Sequence, residues 1–258
     1  MDPKKGIHIL PSLFTTGNVF CGFYAFVAVF NEQFYYAAWA IAVGMIFDGL
    51  DGRIARLTKT TSAFGEQYDS LADIITFGMA PAFLAYAWVL KPFGRLGWMA
   101  AFLFLLCAAL RLARFNTQAG TQDKSYFQGL ASPAAAGTLV ATIWFFADQG
   151  ISGESVRWLM WLETVALGLL MFSRVRYFSG KTWPTGDRIP TGFLFLVVLV
   201  FVLLAIDPPT VLMVIGIVYV GSGLIMTLLG RQQWKSRRSR RQLKKIDSAV
   251  QEDSEREK

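Results

Sequence analysis

The most informative part of this sequence is a pair of neighbouring segments, DGLDGRIAR at residues 48–56 and GEQYDSLAD at residues 65–73. Each segment carries two aspartates, and the surrounding sequence is mostly apolar. The spacing within each pair is three or four residues, which puts both side chains on one face of a helix with Cβ atoms about 5–6 Å apart. We therefore expect two helices that each direct two carboxylates toward the same place.

Four aspartates in an apolar environment require compensation. Each one costs roughly 2.5–3.5 kcal/mol at the centre of a membrane-spanning helix, and like charges at short range repel. Divalent cations that prefer oxygen ligands, Mg²⁺ or Mn²⁺, would neutralise them. The sequence has one histidine and two cysteines, which argues against zinc. Alternatively, the aspartates form ion pairs with nearby arginines or line a proton or ion pathway.

Small residues beside the aspartates favour a binding site over simple ion pairing. Gly52 and Ala55 lie on the helical face of the first aspartate pair, where their short side chains would let a flat ring or a phosphate approach closely. Arg56, one turn beyond Gly52, is placed to hold phosphate oxygens. Ion pairing alone would not need small residues at these positions or at Gly65.

The composition indicates a membrane protein with several spans. The chain has 258 residues, 54% of them hydrophobic, a mean hydropathy of +0.42 and a formal net charge of +7, which is too apolar for a soluble α/β domain. The sequence therefore predicts an all-α polytopic membrane protein with about eight transmembrane helices. They are placed roughly at residues 10–30, 34–56, 69–90, 96–115, 132–147, 156–175, 190–206 and 209–229.

The distribution of basic residues predicts the orientation. With the N-terminus in the cytoplasm, 22 of the 25 lysines and arginines lie on the cytoplasmic side, so both termini are expected there. The short connection after the second span makes the second and third helices antiparallel neighbours, with the aspartates near the cytoplasmic face. The predicted divisions are an interfacial segment (1–10), a catalytic membrane core (11–190), two further spans (191–230) and a charged, disordered cytoplasmic tail (231–258).

The aspartate pattern also carries a family resemblance. The spacing D-x2-D-G-x2-A-R-x8-G-x3-D-x3-D resembles the signature of the CDP-alcohol phosphatidyltransferases. It is matched at Asp48, Asp51, Gly52, Ala55, Arg56, Gly65, Asp69 and Asp73. The resemblance, which covers roughly residues 11–188, implies a helical bundle with its active site near the cytoplasmic face, CDP-diacylglycerol as a substrate, two divalent cations and a homodimer.

The resemblance also implies a role for each aspartate. Asp48, Asp51 and Asp69 would bind metal, while Asp73 would contact the second ion and accept the proton of the attacking hydroxyl. A proton acceptor of this kind must reach the reacting group. The sole histidine, His8, precedes the first predicted span and is expected to be an interfacial residue.

Flanking segments resemble the family members that use L-serine as the acceptor. These segments are LFTTGNVFCG at 13–22, RLARFN at 111–116, FQGLASPAAA at 127–136 and MFSRVRY at 171–177. The implied reaction is attack of the serine hydroxyl on the phosphorus of CDP-diacylglycerol, with release of CMP. Glycerol 3-phosphate or inositol phosphate remain alternative acceptors. A transporter is disfavoured because the aspartates lie near one face and the hydropathy shows no inverted repeat.

Zwitterionic serine carries a carboxylate, so its pocket calls for a guanidinium or a helix N-terminus. Arg111, Arg114 and Asn116 close the fourth predicted span. Ser132 is expected to cap the fifth helix, with proline at the first helical position. The alternative for both arginines is that they extend to lipid headgroups.

Two further features concern the ends of the membrane core. Thr16 and Asn18 are polar residues of the first span and are expected either to line the nucleotide pocket or to form hydrogen bonds between helices. The basic segment after Gly230 adjoins a membrane span, so we expect it to contact anionic lipid rather than nucleic acid.

Overall fold

The computed structural model of the protein describes residues 9–58, 60, 62–118, 126–178 and 191–227. The predicted tail and most of the N-terminal segment lie outside these ranges. The described residues form eight helices and one short pair of strands. The helices are α1 (Ile9–Phe30), α2 (Phe34–Leu57), α3 (Ala63–Phe93), α4 (Arg95–Gln118), α5 (Ser132–Asp148), α6 (Gly153–Phe172), α7 (Thr191–Ile206) and α8 (Pro208–Thr227).

Five of these helices are long and apolar enough to cross a membrane. They are Pro11–Phe30 within α1, Ala63–Phe93, Arg95–Thr117 within α4, Gly153–Phe172 and Pro208–Thr227. Of the other three, α5 and α7 have only 17 and 16 residues, and α2, with 24 residues, carries Asp48, Asp51, Arg53 and Arg56. Helices occupy all eight predicted positions, and five of them qualify as candidate spans by length and composition; that all eight cross the membrane stays a prediction.

Helices α1 and α2 form a tight antiparallel hairpin. Its turn places Glu32 in the left-handed region at φ 59°. Alanines at 25 and 28 of α1 and at 37 and 38 of α2 are almost completely buried, and small side chains of this kind let two helices approach closely. The hairpin brings α1 alongside the half of α2 that carries the first aspartate pair.

Helix α3 begins earlier than predicted and is irregular. It begins at Ala63 rather than near Asp69 because the Ser62 hydroxyl caps it by accepting a hydrogen bond from Gly65 N at 3.0 Å. The helix is α-helical as far as Asp73, π-helical over Ile74–Met79, and π-helical again over Tyr86–Leu90. π-Helical turns often accompany functional sites, and the first one follows Asp73 directly.

The helical bundle contains one exception to the all-α prediction. Strands β1 (Tyr126–Gln128) and β2 (Arg176–Phe178) pair antiparallel. Gly129 continues the contact at φ 81°, a conformation that favours glycine, and its N–H donates to Val175 O at 2.8 Å. This ladder ties the segment before α5 to the segment after α6, so residues distant in sequence become neighbours.

Candidate active site

Three carboxylates converge between α2 and α3. Asp48 and Asp51 of α2 and Asp69 of α3 each offer an oxygen, and these oxygens all lie within 4.8 Å of one another. Asp51 is buried, whereas Asp48 and Asp69 are half-buried. The predicted convergence of the two helices is therefore present, and an all-oxygen donor set of this kind suits a hard divalent cation.

The fourth aspartate, Asp73, lies one turn further along α3 and is buried. Its carboxyl group interacts electrostatically with that of Asp48. In both Asp69 and Asp73, the Oδ1 atom is buried and has no hydrogen-bond partner among the described residues. Because buried carboxylate oxygens are normally satisfied, these orphaned oxygens fit residues that hold cations.

Thr15 was missed by the sequence analysis. Its hydroxyl donates a buried hydrogen bond of 2.8 Å to Asp51 Oδ2, and the side chain is only 4% exposed. Partners of this kind orient a metal-binding carboxylate. The available signal was helical spacing, because Thr15 precedes Asn18 by three residues and therefore shares its face.

A cavity of about 200 Å³ opens beside the carboxylates. Four of the six residues predicted to bind the nucleotide substrate line it: Gly52, Ala55, Arg56 and Gly65. Its wall consists of Pro11, Ser12, Thr15, Asp51, Gly52, Ala55, Arg56, Thr60, Ser62, Gly65, Glu66 and Asp69. A Cβ at Gly52 would lie 3.7 Å from Arg56 Nη1, which is ordinary van der Waals contact and places Gly52 directly beside the guanidinium.

Thr16 and Asn18 do not line this cavity. The Thr16 hydroxyl is exposed and lies 3.0 Å from the Tyr68 hydroxyl. Asn18 is completely buried, and its backbone oxygen accepts a hydrogen bond of 2.9 Å from the Thr76 hydroxyl. Thr16 therefore makes a contact between helices, which was the alternative expectation. Both polar atoms of the Asn18 side chain are instead buried without a hydrogen-bond partner among the described residues, and a role of either residue in nucleotide binding stays a prediction.

Two of the four predicted acceptor residues meet. Arg111 Nη1 of α4 donates a 3.0 Å hydrogen bond to Ser132 Oγ of α5, and Ser132 is completely buried. The Arg111 guanidinium also interacts electrostatically with Asp73, which links this pair to the carboxylate cluster. The expectation that Ser132 caps α5 is wrong: Ala131 occupies the cap position without a side-chain hydrogen bond, and the Ser132 hydroxyl accepts from the arginine instead.

Arg114 and Asn116 point elsewhere. Arg114 donates to Phe172 O at 3.0 Å and to Ser173 O at 3.5 Å, and its guanidinium lies 4.1 Å from the centre of the Phe172 ring. It therefore satisfies carbonyl groups at the C-terminus of α6, where a cation is favourable. Asn116 Nδ2 donates to Ser70 Oγ of α3 at 2.9 Å.

Comparison with known proteins agrees with this geometry. The profile of CDP-alcohol phosphatidyltransferases matches residues 8–172. The chain belongs to this family. It is an integral membrane protein, and the resemblance inferred from the aspartate spacing is confirmed.

Several relatives of this family member carry the name CDP-diacylglycerol–serine O-phosphatidyltransferase. The one from Helicobacter pylori is 38% identical over 208 residues, which cover 80% of this chain and 85% of that protein. The one from Bacillus subtilis is 33% identical over 172 residues, covering 66% of this chain and 90% of that protein. The one from Methanocaldococcus jannaschii is 38% identical over 138 residues, which cover 53% of this chain and 61% of that protein.

Proposed function

We propose that this protein transfers the phosphatidyl group of CDP-diacylglycerol to the hydroxyl of L-serine, yielding phosphatidylserine and CMP. The observation that carries the proposal is the convergence of Asp48, Asp51 and Asp69 beside a cavity lined by Arg56. The acceptor is supported by the names of relatives that align with most of this chain. Phosphoryl transfer depends mainly on positioning and charge neutralisation, and this arrangement offers both.

The four aspartates would hold two divalent cations, Mg²⁺ or Mn²⁺. When bound, such ions would neutralise the charge of the pyrophosphate, including that on the leaving CMP oxygen, and would stabilise the attacking serine oxygen. Asp48, Asp51 and Asp69 supply the converging oxygens. Asp73 adds the buried Oδ1 atom that lacks a partner among the residues described, and Thr15 fixes the orientation of Asp51.

Asp73 would also act as the base. The serine oxygen forms a bond to phosphorus, the bond from phosphorus to the CMP oxygen breaks, and the hydroxyl proton passes to the Asp73 carboxylate. Its electrostatic interaction with Arg111 supports a serine bound between the two. A base must lie within reach of the proton that it accepts, and Asp73 is the aspartate that faces the acceptor side.

The substrates would occupy the two sides of the cluster. The nucleotide would lie in the cavity at Gly52, Ala55, Arg56 and Gly65, where the small residues admit the ring and the guanidinium binds phosphate. The serine carboxylate would lie at Arg111 and Ser132, which already form a hydrogen bond to each other.

The membrane setting is also part of the proposal. The distribution of basic residues supports placement of both termini in the cytoplasm, and the organisms of the named relatives support a cytoplasmic membrane of the bacterial or archaeal type. The catalytic core would span residues 11–190, with two further spans at 191–230, and the family resemblance supports a homodimer.

The decisive experiment measures CMP release from CDP-diacylglycerol by the purified protein in detergent with Mg²⁺ or Mn²⁺. L-serine is compared with glycerol 3-phosphate, inositol phosphate and no added acceptor. We expect L-serine to give the fastest release and phosphatidylserine as the lipid product. Faster release with another acceptor would assign the protein to a sister activity, and no release with any acceptor would overturn the proposal.

A further inference from the structure

Helix α8 approaches the bundle along one face. Gly216, Tyr219 and Gly223 are spaced by three and four residues and therefore lie on the same side of the helix. A Cβ at Gly216 would lie 2.5 Å from Thr138 Oγ1 of α5, and a Cβ at Gly223 would overlap the Tyr177 ring. The two glycines let α8 pack closely at two points, and Tyr219 lies between them.

Tyr219 lies on the side of α8 that packs against α5 and the strand ladder. This placement brings its hydroxyl within electrostatic range of the Arg111 guanidinium. The same guanidinium uses Nη1 for Ser132, while its Nε is buried without a hydrogen-bond partner in the described part of the chain. Arg111 is therefore held by Ser132 on one side, approached by Tyr219, and left with an unused donor.

Tyr177 of strand β2 packs its ring against that of Tyr219. The two rings lie 5.5 Å apart between centroids at an angle of 34°. Tyr177 is completely buried, and within the described ranges its hydroxyl has no hydrogen-bond partner. Burial, and secondarily the neighbouring Tyr219, raise the pKa of Tyr177 to about 12, so this hydroxyl stays a donor at physiological pH.

These groups match one kind of ligand. Arg111 and Ser132 bring a guanidinium and a hydroxyl group into contact, and the Tyr219 hydroxyl lies within electrostatic range of the same guanidinium. A guanidinium with nearby hydroxyl donors suits a carboxylate. Because Arg111 also interacts with Asp73, a small amino acid bound here by its carboxylate would present its other end toward the aspartates.

We infer that Tyr219 of the last helix completes the acceptor site by donating a hydrogen bond to the carboxylate of the amino-acid acceptor, and that Tyr177 is a positioning residue that holds it there. The inference rests on the proposed function and extends it beyond the family match, which ends at residue 172. The segment that looked like an additional span would thus take part in selecting the acceptor.

The first test is Tyr219→Phe, which keeps the ring and removes the hydroxyl. Hydrogen bonds to charged groups are strong enough that the KM for L-serine should rise about tenfold or more, while the KM for CDP-diacylglycerol stays within twofold. Equilibrium dialysis with labelled L-serine should show the same weakening without turnover. Ethanolamine, which lacks the carboxylate, should compete equally weakly against serine in both proteins. The matched control is Tyr36→Phe, because Tyr36 is exposed on α2.

A second pair of variants tests the placement of α8. Gly223→Ala should push α8 away from Tyr177 and raise the serine requirement, whereas Gly221→Ala, where a Cβ meets nothing within 4 Å, should leave it unchanged. This pair decides the matter if Tyr219→Phe does not fold. Equal effects in the pair, or an unchanged serine KM in Tyr219→Phe, would overturn the inference. If wild-type protein shows no serine-dependent CMP release at all, the proposed function fails instead.

Discussion

The two sides of the proposed active site are built in opposite ways. The proposed donor side gathers residues 15–73 from three consecutive helices, and its chemistry is acidic with small residues beside the carboxylates. The proposed acceptor side draws on residues of four separate elements, and its chemistry is cationic and aromatic; these residues are Arg111, Ser132, Tyr177 and Tyr219.

The difference follows from what each side must bind. Paired cations and a pyrophosphate demand several carboxylates at fixed spacing, which two adjacent helices provide most directly. A small zwitterion needs one cation and a few donors, and these can come from any element that reaches the site. A family that keeps one donor and changes its acceptor can therefore retain the first side and vary the second.

Removal of divalent cations should produce the largest effect and acts on the donor side alone. Chelation with EDTA is expected to abolish CMP release, because the clustered carboxylates would then repel each other and the pyrophosphate charge would remain. Addition of Mg²⁺ or Mn²⁺ should restore it. A rate that persists in chelator would remove the cations from the donor side.

Asp73 links the two sides, and Asp73→Asn should reduce kcat by roughly 10²- to 10⁴-fold, the usual contribution of a general base. The amide keeps the shape but cannot accept the proton. Binding of CDP-diacylglycerol, measured by equilibrium dialysis, should persist. Asp148→Asn is the control, since Asp148 is exposed at the end of α5. Near-normal turnover would show that another group accepts the proton.

On the acceptor side, Arg111→Ala and Arg114→Ala should have different effects, although the sequence predicts the same role for both arginines. Arg111→Ala should raise the KM for serine about tenfold or more, because it removes a charged hydrogen-bond donor. Arg114→Ala should mainly lower the free energy of unfolding, by about 1 kcal/mol, because it removes a cation from the C-terminus of α6. If both variants changed the serine KM equally, the division of roles would be wrong.

Thr15→Val sharpens the donor side. Loss of the hydrogen bond to Asp51 should raise the divalent-ion concentration needed for half-maximal rate by roughly 10- to 100-fold, as for other partners of metal ligands. Thr16→Val is the matched control because its hydroxyl is exposed and bonds elsewhere. A metal titration that coincides for both variants would exclude the orienting role.

The smallest effect on turnover concerns the helix packing of the donor side. A Cβ at Gly22 would lie 2.6 Å from Thr76 Oγ1 and 3.1 Å from Thr76 Cα, so Gly22→Ala should separate α1 from the π-helical turn and lower stability by about 1–3 kcal/mol. Gly49→Ala meets nothing within 4 Å and should be neutral or stabilising. Thermal unfolding of both variants in detergent tests this, and equal melting temperatures would contradict the close packing.

The same contrast explains what the sequence could predict. Helical periodicity and spacing locate the aspartates and the small residues beside them, because these residues are close along the chain and their side-chain directions follow from helix geometry. The positions of the helices are predicted for the same reason. Residue spacing does not encode contacts between distant segments. The three-dimensional structure was therefore needed to find the hydrogen bond from Thr15 to Asp51, the β ladder, the contact of Arg114 with α6 and the packing of Tyr219.

Local conformation also escaped the sequence. Nothing in the run after Asp73 signals that the helix becomes π-helical, since apolar residues there suit either geometry. Likewise, Ser132 followed by proline is a typical helix start. In the structure, however, the Ser132 hydroxyl accepts a hydrogen bond from the Arg111 guanidinium and does not cap the helix.

The π-helical turn at Ile74–Met79 has one more consequence. A π turn is equivalent to a single residue inserted into a regular helix, and each residue of an α-helix rotates the chain by about 100°. The insertion gives the two halves of α3 separate rotational registers. Because of this offset, the residues beyond Met79 that share a direction with Asp69 and Asp73 are not those that regular α-helical spacing would predict.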